Sequence, residues 1–409
     1  MGDPLMLGTL PMVTDAELLK HLQRACTDML RSEAGRFPGS QPVSFERKHL
    51  QSVQRQPYFA AEKTDGVRYM LLILGDRGTF MVDRHFGMRR LSMRFPGPRP
   101  GTLLDNTLLD GELVVDTSLE TNERKMRYLI YDACAVAGEL ITGYSLTDRL
   151  AAVHRFVRAP QSAAADQPFT IDLKDYYDLE HLSWLFKHIA PSRGEHLFTF
   201  VDENRGLRHG TDGIIFTPVD APYRHGTDPL VLKWKPAEMN SVDFLLAAEW
   251  RQEQGQGLTP RFKLLVSDRG ALDFYAWIAF SPGDYQRFKH DSRSDERIVE
   301  CVFDPNWVTI EYDPTDPTWN RQRRRAGGWR FLRVREDKNE PNRLTTVKSV
   351  VESIKDGVTK EEILAVGAVF EEAAEKRRKE AKRRREEAKR KSGSASVAAA
   401  LPSLAQLSV

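Results

Sequence analysis

The sequence predicts an α+β protein with two folded domains and a charged helical tail. Apolar runs broken by turn residues indicate antiparallel sheets with flanking helices over residues 1–238. Short strands then follow one another with little helical pattern between them, which is typical of a small barrel over residues 239–343. The pattern next turns helical, and we expect a helix around residues 345–370 to pack on the first domain. Residues 371–409 are charged or rich in Ser and Ala, and we expect them to be disordered.

The elements of the first domain can be placed in chain order. Leucines at helical spacing predict one helix before residue 58, over Asp15–Leu30. Helices also fit Leu146–Val157 and Leu179–Ile189, and the Ala- and Pro-rich stretch Ala159–Pro168 is expected to be a surface loop. Apolar and β-branched runs predict strands over Arg68–Leu74, Thr79–Arg84, Leu108–Val115, Tyr128–Val136, Gly213–Val219 and Val231–Lys235.

The second domain is predicted to consist almost entirely of strands, with one helix around Tyr285. Beyond it, Thr359 followed three residues later by Glu362 predicts a capping box at the start of a helix. The boundary between the two domains is expected near residues 237–243. The predicted strands are Phe244–Trp250, Phe262–Val266, Phe274–Phe280, Arg297–Phe303, Val308–Tyr312 and Trp329–Val334.

Positive charge is concentrated near the end of the chain. Lys376–Lys391 holds eleven Lys or Arg and three Glu, a net charge of +8, so the rest of a chain with a total of +2 carries −6. The folded part must therefore hold any anion in a local basic cleft and not by a global field. The basic segment could be a nuclear import signal, an RNA-contacting arm or a solvated helix, and the sequence does not decide among them.

Composition and terminal patterns argue against several classes of protein. No apolar run approaches the ~20 residues of a membrane-spanning helix, and the first residues match neither a secretory signal nor a myristoylation site. We therefore expect no membrane partner. Cys26, Cys134 and Cys301 lie far apart, which favours a reducing compartment and argues against a zinc knuckle.

Chemistry is first indicated by Glu62-Lys63-Thr64-Asp65-Gly66-Val67-Arg68, which lies between two apolar runs. A lysine amine is a nucleophile only when deprotonated, and burial or neighbouring cations lower its pKa. Arg68, Lys233 and Lys235 are the cations that we expect to act on Lys63. Gly66 would permit a tight turn that presents Lys63 at the lip of a sheet.

Further segments follow in a fixed order. Glu112 stands among apolar strand residues, where a carboxylate must be paired, solvated or functional. Lys233 and Lys235 share one face of a strand, which is unfavourable unless an anion lies between them. The segments are Phe80–Arg84, Asp110–Val114, Arg127–Ala133, His209–Pro218, Leu232–Pro236 with Asn240–Phe244, and Gly327–Lys338.

Together with the lysine segment, this series resembles the guanylyltransferases of the messenger RNA capping enzyme family, which are covalent nucleotidyltransferases. The resemblance covers about residues 58–343. It implies a nucleotidyltransferase domain followed by an OB-fold domain. It also implies that Lys63 is the catalytic nucleophile and that Glu112 and Asp212 hold a divalent cation, Mg²⁺ or Mn²⁺.

The same resemblance implies a set of nucleotide-binding residues. Tyr131 would stack on guanine and Lys174 would contact its O6 atom, while Arg84 would reach the ribose. His209 is interpreted as a structural turn histidine, and Tyr128 would replace Tyr131 only in a different strand register. The full set is Glu62, Arg68, Arg84, Glu112, Tyr131, Lys174, Lys233, Lys235, Asp243, Arg335, Asp337 and Lys338.

The implied reaction has two steps. The Lys63 amine attacks the α-phosphorus of GTP, pyrophosphate leaves, and the lysyl-GMP intermediate passes GMP to the 5′-diphosphate end of RNA, giving a GpppN cap. Closure of a hinge near residues 237–243 would bring Arg335 and Lys338 over the triphosphate. Asp243 would serve the outer phosphates during the first step.

No H-C-x-x-G-x-x-R phosphatase loop is present, so the chain is similar to the single-activity fungal type. This implies a separate RNA 5′-triphosphatase subunit, docking on the phosphorylated C-terminal domain of RNA polymerase II, and a nuclear location. Two alternatives are an ATP-dependent polynucleotide ligase, which shares the lysine segment, and a catalytically silent RNA or polymerase adaptor. The adaptor is expected to lack one or more of Lys63, Glu112, Lys233 and Lys235, and this chain keeps all four.

Overall fold

The fold was analysed in a computed structural model, which describes residues 10–30, 37–161, 168–192, 198–236, 239–253, 255, 257–336 and 338–391. The predicted α+β class is confirmed. The helices are α1 (Ala16–Met29), α2 (Arg47–Arg55), α3 (Leu146–Val153), α4 (Ala159–Gln161), α5 (Leu182–Lys187), α6 (Pro282–His290), α7 (Leu344–Asp356) and α8 (Lys360–Lys391).

The strands of the first part of the chain are β1 (Ser40–Ser44), β2 (Tyr58–Thr64), β3 (Val67–Ile73), β4 (Thr79–Val82), β5 (Met88–Leu91), β6 (Thr107–Ser118), β7 (Arg124–Val136), β8 (Glu139–Leu140), β9 (Thr170–Leu173), β10 (Tyr177–Asp178), β11 (Ile189–Pro191), β12 (Phe198–Asp202), β13 (Leu207–Pro218) and β14 (Gly226–Trp234). The second part contributes β15 (Ser241–Glu253), β16 (Gly257–Asp268), β17 (Ala271–Ile278), β18 (Ile298–Tyr312) and β19 (Gln322–Val334).

Within the described residues, the first fourteen strands form one sheet whose central order is β1-β14-β13-β6-β3-β4-β5. Most pairings are antiparallel as predicted, but β1 pairs parallel with β14 and β7 pairs parallel with β9. Side chains alternate across β3, so Leu71 joins one apolar core while Met70 and Leu72 join another that includes Leu22 and Cys26 of α1. This two-sided packing fixes β3 and β6 between two cores.

Several boundaries in the first part differ from the prediction. The helix over Asp15–Leu30 is confirmed as α1, with the Asp15 side chain accepting a hydrogen bond from Leu18 N at 2.9 Å. Helix α2 was not predicted, because its nine residues bury a single side chain, Val53, and so give little apolar periodicity. The expected loop over Ala159–Pro168 begins instead as α4, reached from α3 through a π-turn, while residues 162–167 lie outside the described part of the chain.

The second sheet has the order β17-β16-β15-β18-β19, and its pairings are antiparallel. The two strands expected over Arg297–Phe303 and Val308–Tyr312 are a single strand, β18, whose pairing with β19 shifts register between Asp304 and Val308. Such a bulge interrupts the apolar alternation without ending the strand, so the sequence pattern suggests a break. Closure of this sheet into an OB-fold barrel stays a prediction.

The last helices connect back to the first part of the chain. Val358, Ile363 and Val366 join its apolar core, and Trp234 Nε1 donates a hydrogen bond to the backbone oxygen of Val358 at 2.7 Å. The predicted capping box is confirmed, since Thr359 N donates to Glu362 Oε2 at 2.8 Å and Glu362 N donates to Thr359 Oγ1 at 3.2 Å.

Helix α8 continues to Lys391, so the segment predicted to be disordered is helical over 371–391, and residues 392–409 lie outside the described part of the chain. A charged helix can form without an apolar stripe when its residues have high helix propensity, as Glu, Ala, Lys and Arg do. None of the described helices has the length and apolar character needed to cross a membrane.

Candidate active site

A bulge in β13 brings an aspartate to Lys63. Strands β2 and β13 pair Thr64 with Thr211 and Glu62 with Ile214, which leaves one extra residue on β13 between these pairs. Gly213 within the bulge has φ of +151°, and a Cβ atom there would lie 2.0 Å from the backbone oxygen of Trp234. Glycine is therefore required, and the preceding residue, Asp212, is turned so that its Oδ1 lies 2.6 Å from Lys63 Nζ.

Lys233 and Lys235, which were predicted to share a strand face, also lie near Lys63 and Asp212. Lys235 also forms an ion pair with Asp212, through Oδ2, so this carboxylate compensates the charges of Lys63 and Lys235 in the free protein. No carboxylate partner for Lys233 is found among the described residues. Burial first, and then the positive charges of Lys235 and Lys63, lower the pKa of Lys233. Lys233 is therefore the cation in this group with the most to gain from an incoming phosphate.

The expected lowering of the Lys63 pKa is wrong for the free protein. Burial acts to lower the pKa of Lys63, but the carboxylates of Asp212 and Glu112 outweigh it and the net pKa is raised. The sequence revealed the neighbouring cations but could not show that two carboxylates lie nearer. Lys63 is an ammonium group here, and it must lose a proton before it can act as a nucleophile.

Glu112 is a residue of β6, and its side chain contacts the turn that follows Lys63. Its Oε1 accepts a hydrogen bond from the backbone N of Gly66 at 3.2 Å. Burial raises the pKa of Glu112, while Lys63 and Lys174 act in the opposite direction. Gly66 is needed for close approach and not for a left-handed turn, because a Cβ there would lie 2.5 Å from the backbone oxygen of Leu113. Lys63 itself lies within β2 and not on the turn.

Arg68 belongs to a separate buried network and does not contact Lys63 in the described structure. Its Nε and Nη2 atoms donate to Asp110 at 3.0 and 2.6 Å, and burial is outweighed by Asp110, so the pKa of Arg68 is raised. The hydroxyls of Tyr131 and Tyr223 donate to the same carboxylate at 2.7 and 2.6 Å. The expectation that Arg68 activates Lys63 is therefore wrong, because its charge is neutralised by Asp110.

Tyr131 owes its position to a second bulge. Strand β6 pairs Asp110 with Asp132 and Gly111 with Ile130, so Tyr131 is the extra residue on β7. It is half-buried, whereas Tyr128 is fully buried and donates its hydroxyl to the backbone oxygen of Tyr69 at 2.8 Å. Of the two tyrosines, Tyr131 alone is accessible for stacking. The exposed Arg84 lies near enough to act electrostatically on both Glu112 and Lys233.

Glu62 and Lys174 pair with each other in a buried network that the sequence did not reveal. The Lys174 ammonium bonds to Glu62 and to the hydroxyl of Thr64, beside the strand that carries Lys63. His209 donates from Nε2 to Glu62 at 3.1 Å and from Nδ1 to Asp116 at 3.0 Å. Against the effect of burial, Lys174 and His209 lower the pKa of Glu62 to about 2.

His209 is thus more than the turn histidine that the sequence suggested. Because a carboxylate can only accept, both ring nitrogens must carry protons, and the ring is an imidazolium. Burial acts to lower its pKa, but hydrogen bonds to Asp116 and Glu62 outweigh burial and raise it. The sequence did contain one signal for a role of His209 in the site. His209 lies three residues before Asp212, so both residues belong to the strand that pairs with β2.

The predicted residues of the second sheet form a cluster of their own. Asp243 is buried, and Arg335 Nη1 lies 3.1 Å from its Oδ1 while Lys338 bonds to its Oδ2. Asn342 fixes the strand that carries Asp243 by accepting from its backbone N at 2.9 Å. The structure therefore brings Asp243, Arg335 and Lys338 together. Asp337 lies outside the described residues.

Comparison with known proteins places the chain in a family. Residues 6–237 match the family model "mRNA capping enzyme, catalytic domain", and residues 239–364 match "mRNA capping enzyme, C-terminal domain". The chain belongs to the mRNA capping enzyme family. The resemblance inferred from the motifs is confirmed by these matches.

Several curated relatives carry the name "mRNA-capping enzyme subunit alpha". The one from Schizosaccharomyces pombe is 33% identical over 383 residues, covering 88% of this chain and 86% of its own length. The one from Saccharomyces cerevisiae is 30% identical, covering 84% and 81%. Among solved structures, a mycobacterial DNA ligase D complexed with ATP and MES covers 74% of this chain and 96% of that chain, at 12% identity and a TM-score of 0.34. A likeness this low carries no argument about activity.

Proposed function

We propose that this capping enzyme is an mRNA guanylyltransferase that forms lysyl-GMP on Lys63 and transfers GMP to the 5′-diphosphate end of RNA. The observation that carries the proposal is the Lys63 amine held by Asp212 beside Glu112 and Lys233, in a chain that belongs to the capping enzyme family. GTP is the substrate. This family membership also favours capping over the ligase and adaptor alternatives.

The first step depends on removing a proton from Lys63. Asp212 Oδ1, 2.6 Å from the ammonium nitrogen, is the acceptor nearest to that proton. The neutral amine then forms an N–P bond to the α-phosphorus as the bond to pyrophosphate breaks. Lys233 near the end of β14 and Lys235 just beyond that strand are placed to hold the oxygens of the phosphorus that is attacked.

Glu112 and Asp212 are suited to a hard cation such as Mg²⁺ or Mn²⁺. Two carboxylates converge near Lys63, and each influences the pKa of that lysine. No larger group of His, Cys, Asp and Glu that could hold a metal is found in the described part of the chain, which fits a cation that takes most of its ligands from phosphates and water. When bound, the cation would neutralise charge on the triphosphate. In its absence Asp212 forms an ion pair with the Lys63 ammonium, and the charge of Glu112 favours the same ammonium electrostatically.

The remaining predicted residues are assigned to the nucleotide as follows. Tyr131 stacks on guanine, Arg84 reaches the ribose, and Lys174 contacts the base from its place beside Glu62. Arg335 and Lys338 exchange their ion pairs with Asp243 for the outer phosphates when the two domains close. Arg68 supports Tyr131 through their shared partner Asp110.

The partners and location follow from the family. We infer an RNA 5′-triphosphatase subunit as a separate partner, docking on the phosphorylated C-terminal domain of RNA polymerase II, and a nuclear location. Two curated relatives are named as subunit alpha, which supports a multi-subunit assembly.

The test is covalent labelling. The chain is incubated with α-labelled GTP or ATP and resolved by denaturing electrophoresis, where a phosphoramidate survives. We expect label from GTP in the unchanged protein and none in Lys63→Ala. Lys125→Ala, an exposed lysine of β7 paired with Glu123, is the matched control and should keep the label. Label from ATP alone would indicate the ligase, and no label would indicate the adaptor.

A further inference from the structure

The second sheet carries a cavity of about 650 Å³ that the residues around Lys63 do not line. One wall is the edge strand β17, the floor is the glycine-rich part of β19, and helix α7 closes a third side. The capping reaction described above uses none of these lining residues. The cavity is therefore available to a ligand other than the nucleotide at Lys63.

Aromatic side chains dominate the wall. Phe274 is 54% exposed although it is large and apolar, and Trp277 and Tyr312 pack edge to face beside it. The Lys263 ammonium lies 5.9 Å from the Phe274 ring centroid and 5.2 Å from that of Trp277. An exposed aromatic surface next to cations is suited to binding a planar, electron-rich group.

A buried hydroxyl faces the same cavity. Thr309 is 5% exposed, and its Oγ1 has no hydrogen-bond partner among the described residues. Gly328 makes this approach possible, since a Cβ there would lie 1.8 Å from Thr309 Oγ1. A buried unpaired hydroxyl costs stability unless a ligand satisfies it. It is an observation independent of the aromatic wall, and it indicates a ligand with a polar edge.

The charge at this site favours a polyanion. Strand β19 begins with exposed arginines, of which Arg325 lines the cavity and pairs with Glu311 at 3.0 Å. Arg323 lies two residues before Arg325, on the same face of β19, and it has no carboxylate partner in the part of the chain that the structure describes. Cations beside aromatic rings are the chemistry that holds single-stranded nucleic acid, because rings stack on bases while cations neutralise phosphates.

We propose that this cavity binds a single-stranded segment of the RNA whose 5′ end is capped. A base stacks on Phe274, its polar edge bonds to the Thr309 hydroxyl, and the phosphates on either side contact Arg323 and Arg325. The inference rests on the proposed function for the identity of the RNA. An aromatic or proline-rich peptide is the competing class of occupant, and the unpaired Arg323 favours RNA over it.

The test measures RNA binding and Lys63 labelling separately in the full chain. The probe is a fluorescent single-stranded 5′-diphosphate RNA longer than about 16 nucleotides, followed by anisotropy over a salt series. We expect Phe274→Ala to weaken binding about tenfold. Arg323→Ser with Arg325→Ser should reduce the slope of log affinity against log salt by about 1.4, as expected when two phosphate contacts to a single strand are lost. Thr309→Val should weaken binding without lowering thermal stability.

Matched controls come from the same domain. Trp250→Ala removes an exposed aromatic of β15, and Arg287→Ser with Arg293→Ser removes two exposed arginines on or near α6, none of them lining the cavity. These variants should keep RNA affinity and salt slope, and all variants should keep GMP labelling of Lys63. Unchanged RNA binding in the cavity variants, equal losses in the controls, or a peptide that fills the cavity without competing with RNA would each overturn the proposal. If the unchanged chain is not labelled by GTP, that result contradicts the proposed function and leaves the RNA-binding proposal to be decided by the anisotropy measurements.

Discussion

The imidazolium of His209 links the two strands that carry Lys63 and Asp212. It bonds to Glu62 of β2 and to Asp116 of β6, and Glu62 in turn holds Lys174. These groups are buried, so each charge depends on its partner for compensation. His209 therefore acts as a positioning residue for β2, the strand that carries Lys63.

A pH-dependent stability should follow from this pairing. The pKa of His209 is raised above its unfolded value of about 6.5, so its contribution is complete below that pH and is lost as pH rises through the folded pKa. His209→Gln should lose about 2 kcal/mol in urea unfolding at low pH, and the difference from the unchanged protein should shrink at high pH. His225→Gln is the control, because it removes a histidine that bonds to the backbone oxygen of Pro38 outside this network. A His209→Gln deficit that grows with pH would contradict this account.

Residue identities could be predicted at the site, but residue pairings could not. The lysine segment and the strand pair Lys233 and Lys235 were recognisable because their spacing is local. The ion pair between Lys63 and Asp212 joins positions about 150 apart, and local spacing carries no information about it. For the same reason the sequence suggests that Arg68 acts on the Lys63 amine, whereas in the structure Asp110 neutralises the charge of Arg68.

At the scale of elements, bulges decide which side chains reach the site. Asp212 and Tyr131 each lie in a bulge, where one strand has a residue more than its partner. Their side chains therefore depart from the regular alternation between the two faces of the sheet. Regular alternation placed the strands correctly over most of β6 and β7 and over the second half of β13. It could not locate the bulges, and it divided β18 into two strands for the same reason.

The bulge at Gly213 can be tested directly. Gly213→Ala would place a Cβ 2.0 Å from the Trp234 oxygen at φ of +151°, so β13 or β14 must shift and carry Asp212 away from Lys63. We expect GMP labelling to fall at least about tenfold, equivalent to about 1.4 kcal/mol, together with a lower melting temperature. Gly206→Ala has a positive φ of +64° but open space around its Cβ. That control should lose some stability and keep labelling, and equal labelling in both variants would show that the bulge does not position Asp212.

Across the whole molecule, the last helices tie the two parts of the chain together. Helix α7 packs on the second sheet through Val347, whereas Val358 and Ile363 belong to the core of the first. Arg47 of α2 also donates from Nε to the backbone oxygen of Asp356 at 2.9 Å. The sequence predicts one helix around residues 345–370 on the first domain, whereas the structure has two helices there, and the earlier one, α7, packs on the second sheet. Local spacing could not show this division, because each docking surface is assembled from distant segments.

Truncation should separate this docking role from the basic segment. A chain ending after Phe370 keeps Val358, Ile363 and Val366 in the core and removes only the charged part of α8, so folding and GMP labelling of Lys63 should be retained. A chain ending after Asp356 removes all three buried side chains, each worth about 1.5–3 kcal/mol, and uncovers Trp234. We expect that shorter chain to unfold at a much lower temperature and to lose labelling. Loss of labelling already in the chain ending after Phe370 would instead place the basic helix in the first chemical step.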